Sequence, residues 1–209
     1  MTVYVESNFL LELAFEQEQA NDCLGLLDLA QSGKVTLLVP AYCVGESLEK
    51  IGRRKQQRRS IQEAINSEVK ELSRSSSAAS VCEQLKRMAT ALMENTKIDE
   101  ERFEALLLKL HDCAQFVPMH GTINRKSLEV RRKYDLPPQD AIVYASVLDH
   151  LESSNAAKAV FVNRNSREFD TREIATDLQQ LNCSYKPSFA AGLAYIRAEL
   201  GRVAEIDHP

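Results

Sequence analysis

Apolar positions along the chain fall into two patterns that alternate. Three short runs are continuously apolar and rich in β-branched and aromatic residues: Thr2–Glu6 (TVYVE), Val35–Val39 (VTLLV) and Ala159–Asn163 (AVFVN). Runs of this length and composition predict strands buried on both faces. Between them the apolar residues recur at helical steps. Ser7 is expected to cap a helix carrying Phe9, Leu10 and Leu13, and a second helix runs to about Ala30, stopped by Gly33. Pro40 is expected to open the next helix. Thr122 is read as the cap of a helix to about Tyr134, and Pro137-Pro138 restarts the chain before the apolar helix Asp140–Leu151. A helix over Thr171–Leu181, a short last strand at Cys183–Tyr185 and a closing helix over Ser188–Leu200 follow. Strands alternating with helices predict an α/β fold, a parallel sheet in a Rossmann-like three-layer arrangement.

Residues 53–115 break this rhythm. The segment is polar and charged, with Leu, Ile and Met at steps of three and four, and Ser73–Ser80 (SRSSSAAS) marks a break between two helices. Thr96 or Asp99 is expected to cap a further helix bearing Phe103, Leu106, Leu107 and Leu110. The segment is read as a helical insertion within a single domain spanning 1–209.

Composition narrows the class. The chain has 209 residues, 44% apolar and 27% charged, which suits one globular domain with elaborations. No apolar run approaches the roughly 20 residues of a membrane span, and the acid-interrupted N-terminus does not read as a signal peptide. Five widely spaced cysteines (Cys23, Cys43, Cys82, Cys113 and Cys183) without a CxxC are expected to be reduced thiols of a cytoplasmic protein. His111, His120, His150 and His208 lack zinc-ligand spacing. A net charge of −4 leaves any nucleic-acid contact to local basic patches.

No GxGxxG, GxxxxGK[ST] or GxSxG occurs, so the α/β pattern carries no phosphate loop and no nucleophile elbow. What remains is a set of acids. Glu6 ends the first strand, where open parallel sheets collect ligands; a helix-start acid is the competing account. Glu46 lies within the helix after the second strand, among small and apolar neighbours, where a carboxylate facing inward needs a partner or a cation; facing water is its alternative. Asp140 opens an apolar helix after Pro137-Pro138-Gln139, a position that also suits plain capping. Glu168 and Asp170 follow the third run, in a segment that also reads as a polar turn. Four carboxylates converging on one sheet edge would repel, and a hard divalent cation with oxygen ligands resolves that conflict.

These residues resemble the PIN-domain superfamily, and in particular its VapC/FitB-like toxin ribonucleases. The strand, acid and apolar helix of VYVESNFLLEL, the strand, proline and glutamate-bearing helix of VTLLVPAYCVGESLEK, the LPPQDAIVYASVLDH helix start and the FVNRNSREF segment match the family's four motifs in order, over roughly residues 1–51 and 120–185. The resemblance implies a PIN-like fold and an endoribonuclease that uses Mg²⁺ or Mn²⁺ held by Glu6, Glu46, Asp140 and Glu168, with Asn163, Asn165 and Asp170 in support. Glu6 and Glu168 stand where the family usually has aspartate, which lengthens two ligands by a methylene. The resemblance also implies a homodimer and a small antitoxin-like partner, for which the apolar stripes at 61–72 and 81–93 offer surface; packing within the chain is the competing account of those stripes.

Two basic clusters are candidates for holding an RNA backbone: Arg53, Arg54, Lys55, Arg58 and Arg59 after the Glu46 helix, and Arg125, Lys126, Arg131, Arg132 and Lys133 ahead of Asp140. A solvated helix face is the competing account for each. Three functions follow: a metal-dependent RNA endonuclease, a catalytically degenerate PIN-fold module that binds RNA or assembles with other proteins, and a Rossmann-like domain for a small phosphorylated ligand, which the missing glycine loop disfavours.

Overall fold

The computed structural model describes residues 1–154, 157–164 and 166–206. Its elements in chain order are β1 (Thr2–Val5), α1 (Ser7–Phe15), α2 (Ala20–Gln31), β2 (Thr36–Pro40), α3 (Ala41–Leu72), a 3-10 turn (Ser76–Ala78), α4 (Ala79–Cys113), β3 (Ala114–Val117), α5 (Gly121–Tyr134), α6 (Pro138–Ser154), β4 (Ala159–Val162), α7 (Ser166–Phe169), α8 (Arg172–Gln180), β5 (Cys183–Lys186) and α9 (Phe189–Ile206). The strands form one parallel sheet in the order β3-β2-β1-β4-β5. The expected α/β architecture is therefore present. The central strands are apolar because both faces are covered: Val3, Tyr4, Val5, Val160, Phe161 and Val162 are all fully buried. Helix α6 packs on β2 and β3, and α9 on β4 and β5. The approach of α9 is close enough that Gly192 is required, since a Cβ there would lie 2.7 Å from the Val162 side chain.

The order places β1 beside β4, with the chain turning to β2 on one side and to β5 on the other. That is a topological switch point, where the connections leave a crevice at the carboxyl ends of the two strands. Glu6 directly follows β1, and Asn163 and Arg164 directly follow β4.

Several boundaries differ from the sequence reading. Glu6, not Ser7, caps α1: its Oε2 accepts the Asn8 N–H at 2.8 Å. Pro40 closes β2 and sits at the cap before α3, and α5 begins at Gly121 behind His120. The 73–80 segment does break two helices, but Thr96 and Asp99 cap nothing. They lie inside an unbroken α4, where Arg58 of α3 donates to Thr96 Oγ1 at 3.1 Å and to Asp99 Oδ2 at 2.8 Å. The inserted segment is thus a pair of long packed helices, and it ends in β3, a half-covered edge strand that the helical pattern concealed. Among the described residues no helix is long and apolar enough to cross a membrane. The five cysteines are unbonded, four of them buried.

Candidate active site

Glu6 directly follows β1, Glu46 lies on α3 after β2, Asp140 in the first turn of α6 and Glu168 on α7, and the four differ in burial and in partners. Glu6 is 6% exposed. Burial pushes its carboxyl up to about 7, and the charge of Glu46 adds to that push; the Asn8 N–H, Lys50 and the Arg164 backbone act in the opposite direction. While Oε2 is engaged by Asn8, Oε1 is buried without a hydrogen-bond partner among the described residues.

Glu46 faces the same crevice from the second turn of α3. Ser7, the first residue of α1, donates its hydroxyl to Glu46 Oε2, and Lys50 one turn on lies 3.1 Å from Oε1. Ser47 Oγ reaches the Ser7 carbonyl at 3.5 Å, tying the two helix starts together. Cys43 is buried between them; burial, then the Glu6 charge, pushes its thiol above the usual range and keeps it neutral.

Asp140 lies in the first turn of α6, which begins at Pro138 and not at Asp140 as the sequence suggested. Burial raises the Tyr42 phenol, and the charges of Glu46, Glu49 and Asp140 raise it further, so these carboxylates lie within electrostatic reach of the first turn of α3. Glu168 lies on α7, and its Oε2 is buried without a partner among the described residues. Asn163 is 1% exposed, Asp170 is exposed, and Asn165 lies outside the described residues.

The structure therefore brings Glu6 and Glu46 within electrostatic reach of each other, and Asp140 within such reach of Tyr42 in the first turn of α3. Among the described residues no three His, Cys, Asp or Glu side chains converge closely enough to hold one ion. The Asn8 bond on Glu6 and the Lys50 and Ser7 bonds on Glu46 hold these carboxylates to the protein. The donor set still suits a hard dication in kind. It is all oxygen, it carries a buried carboxylate whose charge is unfavourable as it stands, and Glu6 and Glu168 each keep a buried oxygen without a hydrogen bond.

Two participants escaped the sequence reading. Glu12, fully buried on α1, accepts Arg164 at Oε1 and the Gln19 N–H at Oε2, the latter at 2.8 Å. Arg164 also reaches Glu18 at 2.7 Å. This clamp fixes the loop after β4 against α1. Tyr185 of β5 is the second; its buried hydroxyl has no partner among the described residues. The cation that pairs with Glu12 is far along the chain, and no local pattern marks Tyr185.

The first basic cluster is largely engaged within the hairpin. Arg53 pairs with Glu49, Arg59 with Glu63, Lys55 with Glu100 and Arg58 with Asp99, while Arg54 lies 4.2 Å over the Phe15 ring. In the second, Lys126 pairs with Asp149 and Glu152, and Lys133 with Asp177, whereas Arg125, Arg131 and Arg132 are exposed.

No curated protein and no solved structure matches the chain. A family model described as PIN domain matches residues 3–169, which take in Glu6, Glu46, Asp140 and Glu168, and the chain belongs to the PIN-domain family.

Proposed function

We propose that this protein is a PIN-type endoribonuclease that hydrolyses RNA phosphodiesters with Mg²⁺ or Mn²⁺ held by Glu6, Glu46, Asp140 and Glu168. The observation that carries the reading is Glu6: a buried carboxylate at the switch point of the sheet, beside Glu46, with one oxygen free of hydrogen bonds. When bound, the cation polarises the scissile phosphate and offsets the charge that builds during in-line attack. The protein's part is positioning. Asn8 fixes one Glu6 oxygen and leaves the other for the ion, and Ser7 orients Glu46. Asp140 adds charge from the first turn of α6, and Asn163 supports the loop that carries Glu168. The exposed arginines of α5 would hold the RNA backbone. A toxin-like role fits the exposed Ile61, Val81 and Met88 on the helical hairpin, where a second copy or an antitoxin-like protein would dock.

A second reading is favoured by two observations. Glu46 is already paired with Lys50 and hydrogen-bonded by Ser7, and no three acids converge among the described residues. A PIN-fold module that binds RNA without cutting it would look this way. Incubating single-stranded and structured RNAs with wild type and Asp140→Asn, in Mn²⁺, Mg²⁺ or EDTA, separates the two. Metal-dependent cutting that the variant loses is the expected result. RNA binding at low salt that is indifferent to chelator, with no cutting under any condition, would establish the module instead.

A further inference from the structure

Five of the six tyrosines are held by their neighbours. Tyr4 shares a hydrogen bond with His150 at 2.7 Å, Tyr134 bonds Asp177, Tyr144 lies against Tyr134 and Phe169, Tyr185 lies against Phe161, and Tyr195 bonds Ser184 beneath Lys186. Tyr42 is different. Among the described residues it makes no hydrogen bond and no contact with another ring or with a cation. It packs against the edge of the core and stays partly open to solvent. β2 ends at Pro40 and α3 starts at Ala41, so Tyr42 stands at the carboxyl end of β2, the strand paired with β1. Glu46 and Glu49 follow it four and seven residues on, along the same stripe of α3. Helix α6, with Asp140 in its first turn, packs on α3 and β2. Burial, then the charges of Glu46, Glu49 and Asp140, raise the Tyr42 phenol, which agrees with that placement.

Acids beside a crevice repel phosphates, and the chain's net charge of −4 offers no compensating field. A hold on RNA at this edge of the sheet has to be insensitive to charge. Stacking supplies one, because every base presents a π-face to an aromatic ring. We propose that Tyr42 is the stacking platform of the crevice, its ring carrying an unpaired base of the bound RNA strand. Resting on the reading of the crevice as an RNA site, this assigns the site a preference for single strands: in a duplex the bases stack on one another and their faces do not reach the ring. Stacking reads no base edge, so the preference carries no base identity. Because Tyr42 sits on a helix and packs against the core, its ring has little freedom to lose when the base arrives.

The test compares binding of an unstructured RNA with binding of a base-free ribose-phosphate oligomer of the same length, in EDTA, which withholds the ion needed for cutting. Both carry the same phosphates, so contacts to arginine cancel in the ratio of affinities and the contribution of the bases remains. The ratio is taken within one protein sample, so a change in the folded fraction cancels as well. Tyr42→Leu keeps apolar bulk against the core and removes the ring; Tyr42→Phe keeps the ring. Wild type is expected to prefer the RNA with bases, and Tyr42→Leu to lose roughly 5- to 150-fold of that preference, the range that one stacked base contributes. Tyr42→Phe should retain it. Wild type and Tyr42→Leu should bind a duplex of the same RNA equally. An unchanged preference in Tyr42→Leu, an equal loss in Tyr42→Phe, or an equal loss of affinity for the duplex would each overturn the stacking role and leave the nuclease reading standing. Wild type that binds neither oligomer would overturn both. Binding that depends on Tyr42, from a protein that cuts RNA with neither Mn²⁺ nor Mg²⁺, would uphold the platform and sink the nuclease reading.

Discussion

Glu6 has two roles that set opposite demands on its charge. As the cap of α1 it accepts an N–H at the positive end of a helix, which favours the carboxylate. Buried to 6% exposure, it is driven towards the acid form. Burial wins, and the carboxyl rises from 4.5 to about 7. In the window between those values the folded chain holds a proton that the unfolded chain has lost, so stability falls as pH rises through it. A shift of this size corresponds to roughly 3 kcal/mol, fully present below the unfolded pKa and lost above the folded one. Thermal scans without divalent cations should show Tm declining across that window, with the Glu6 part of the decline absent in Glu6→Gln. Because the ion and the proton compete for the same carboxylate, Mn²⁺ affinity should rise over the same range. That Glu6 ends a strand was legible in the sequence; its burial was not, since it depends on α3 and the loop after β4 closing over it. Glu12 was missed for the same reason: its cation is Arg164, far along the chain. Arg164→Ala would strand a fully buried carboxylate and, because Arg164 itself is about a third exposed, should destabilise by about 2–3 kcal/mol in denaturant titration. Glu18→Ala, at an 82% exposed side chain, should cost about 0.5 kcal/mol or less.

At the scale of elements, the long helices α3 and α4 show where composition misled. Thr96 and Asp99 are good capping residues, and a cap was the reading their identities favoured. Tertiary pairing overrides it: Thr96 returns its hydroxyl to the Leu92 carbonyl at 2.9 Å, and both residues accept from Arg58, whose side chain is only 12% exposed. The basic run of α3 is thus partly a seam between helices, with Arg58 and Lys55 reaching α4 and Arg54 resting on Phe15. Arg58→Ala should therefore lower stability by about 2–3 kcal/mol, as expected when a nearly buried carboxylate loses its partner. Arg59→Ala, whose pairing with Glu63 is exposed, should stay within about 0.5 kcal/mol. Equal losses from the two variants would show that the interhelical seam is not where the hairpin's stability lies. β3 was concealed at this scale too. Four residues at a sheet edge, only the last of them buried, leave no alternation strong enough to separate them from the helix they follow.

At the scale of the whole molecule, alternation of apolar strands and amphipathic helices was enough to predict a parallel sheet, because strands covered on both faces must be continuously apolar. Strand order was out of reach of that pattern. It decides that β1 and β4 are neighbours and that Glu6 and the β4 loop share a crevice. The same scale governs how RNA would approach. A net charge of −4 gives the chain no long-range attraction for a polyanion, so binding has to come from a local basic surface. The α3 cluster has its acid partners nearby, and releasing them would offset part of the gain from each phosphate contact. On α5, Arg131 and Arg132 are exposed. Helix α5 packs on α6, the helix that carries Asp140 in its first turn, which makes these arginines the better anchors for RNA entering the site. If they each meet a phosphate, replacing both with glutamine should reduce the slope of log K against log salt by about 1.4 for single-stranded RNA, from roughly 0.7 per phosphate contact. Replacing Arg53 and Arg59 should change it little. The reverse outcome, a slope that follows Arg53 and Arg59 and ignores α5, would mean that RNA opens the ion pairs of α3 on binding and lies along the hairpin.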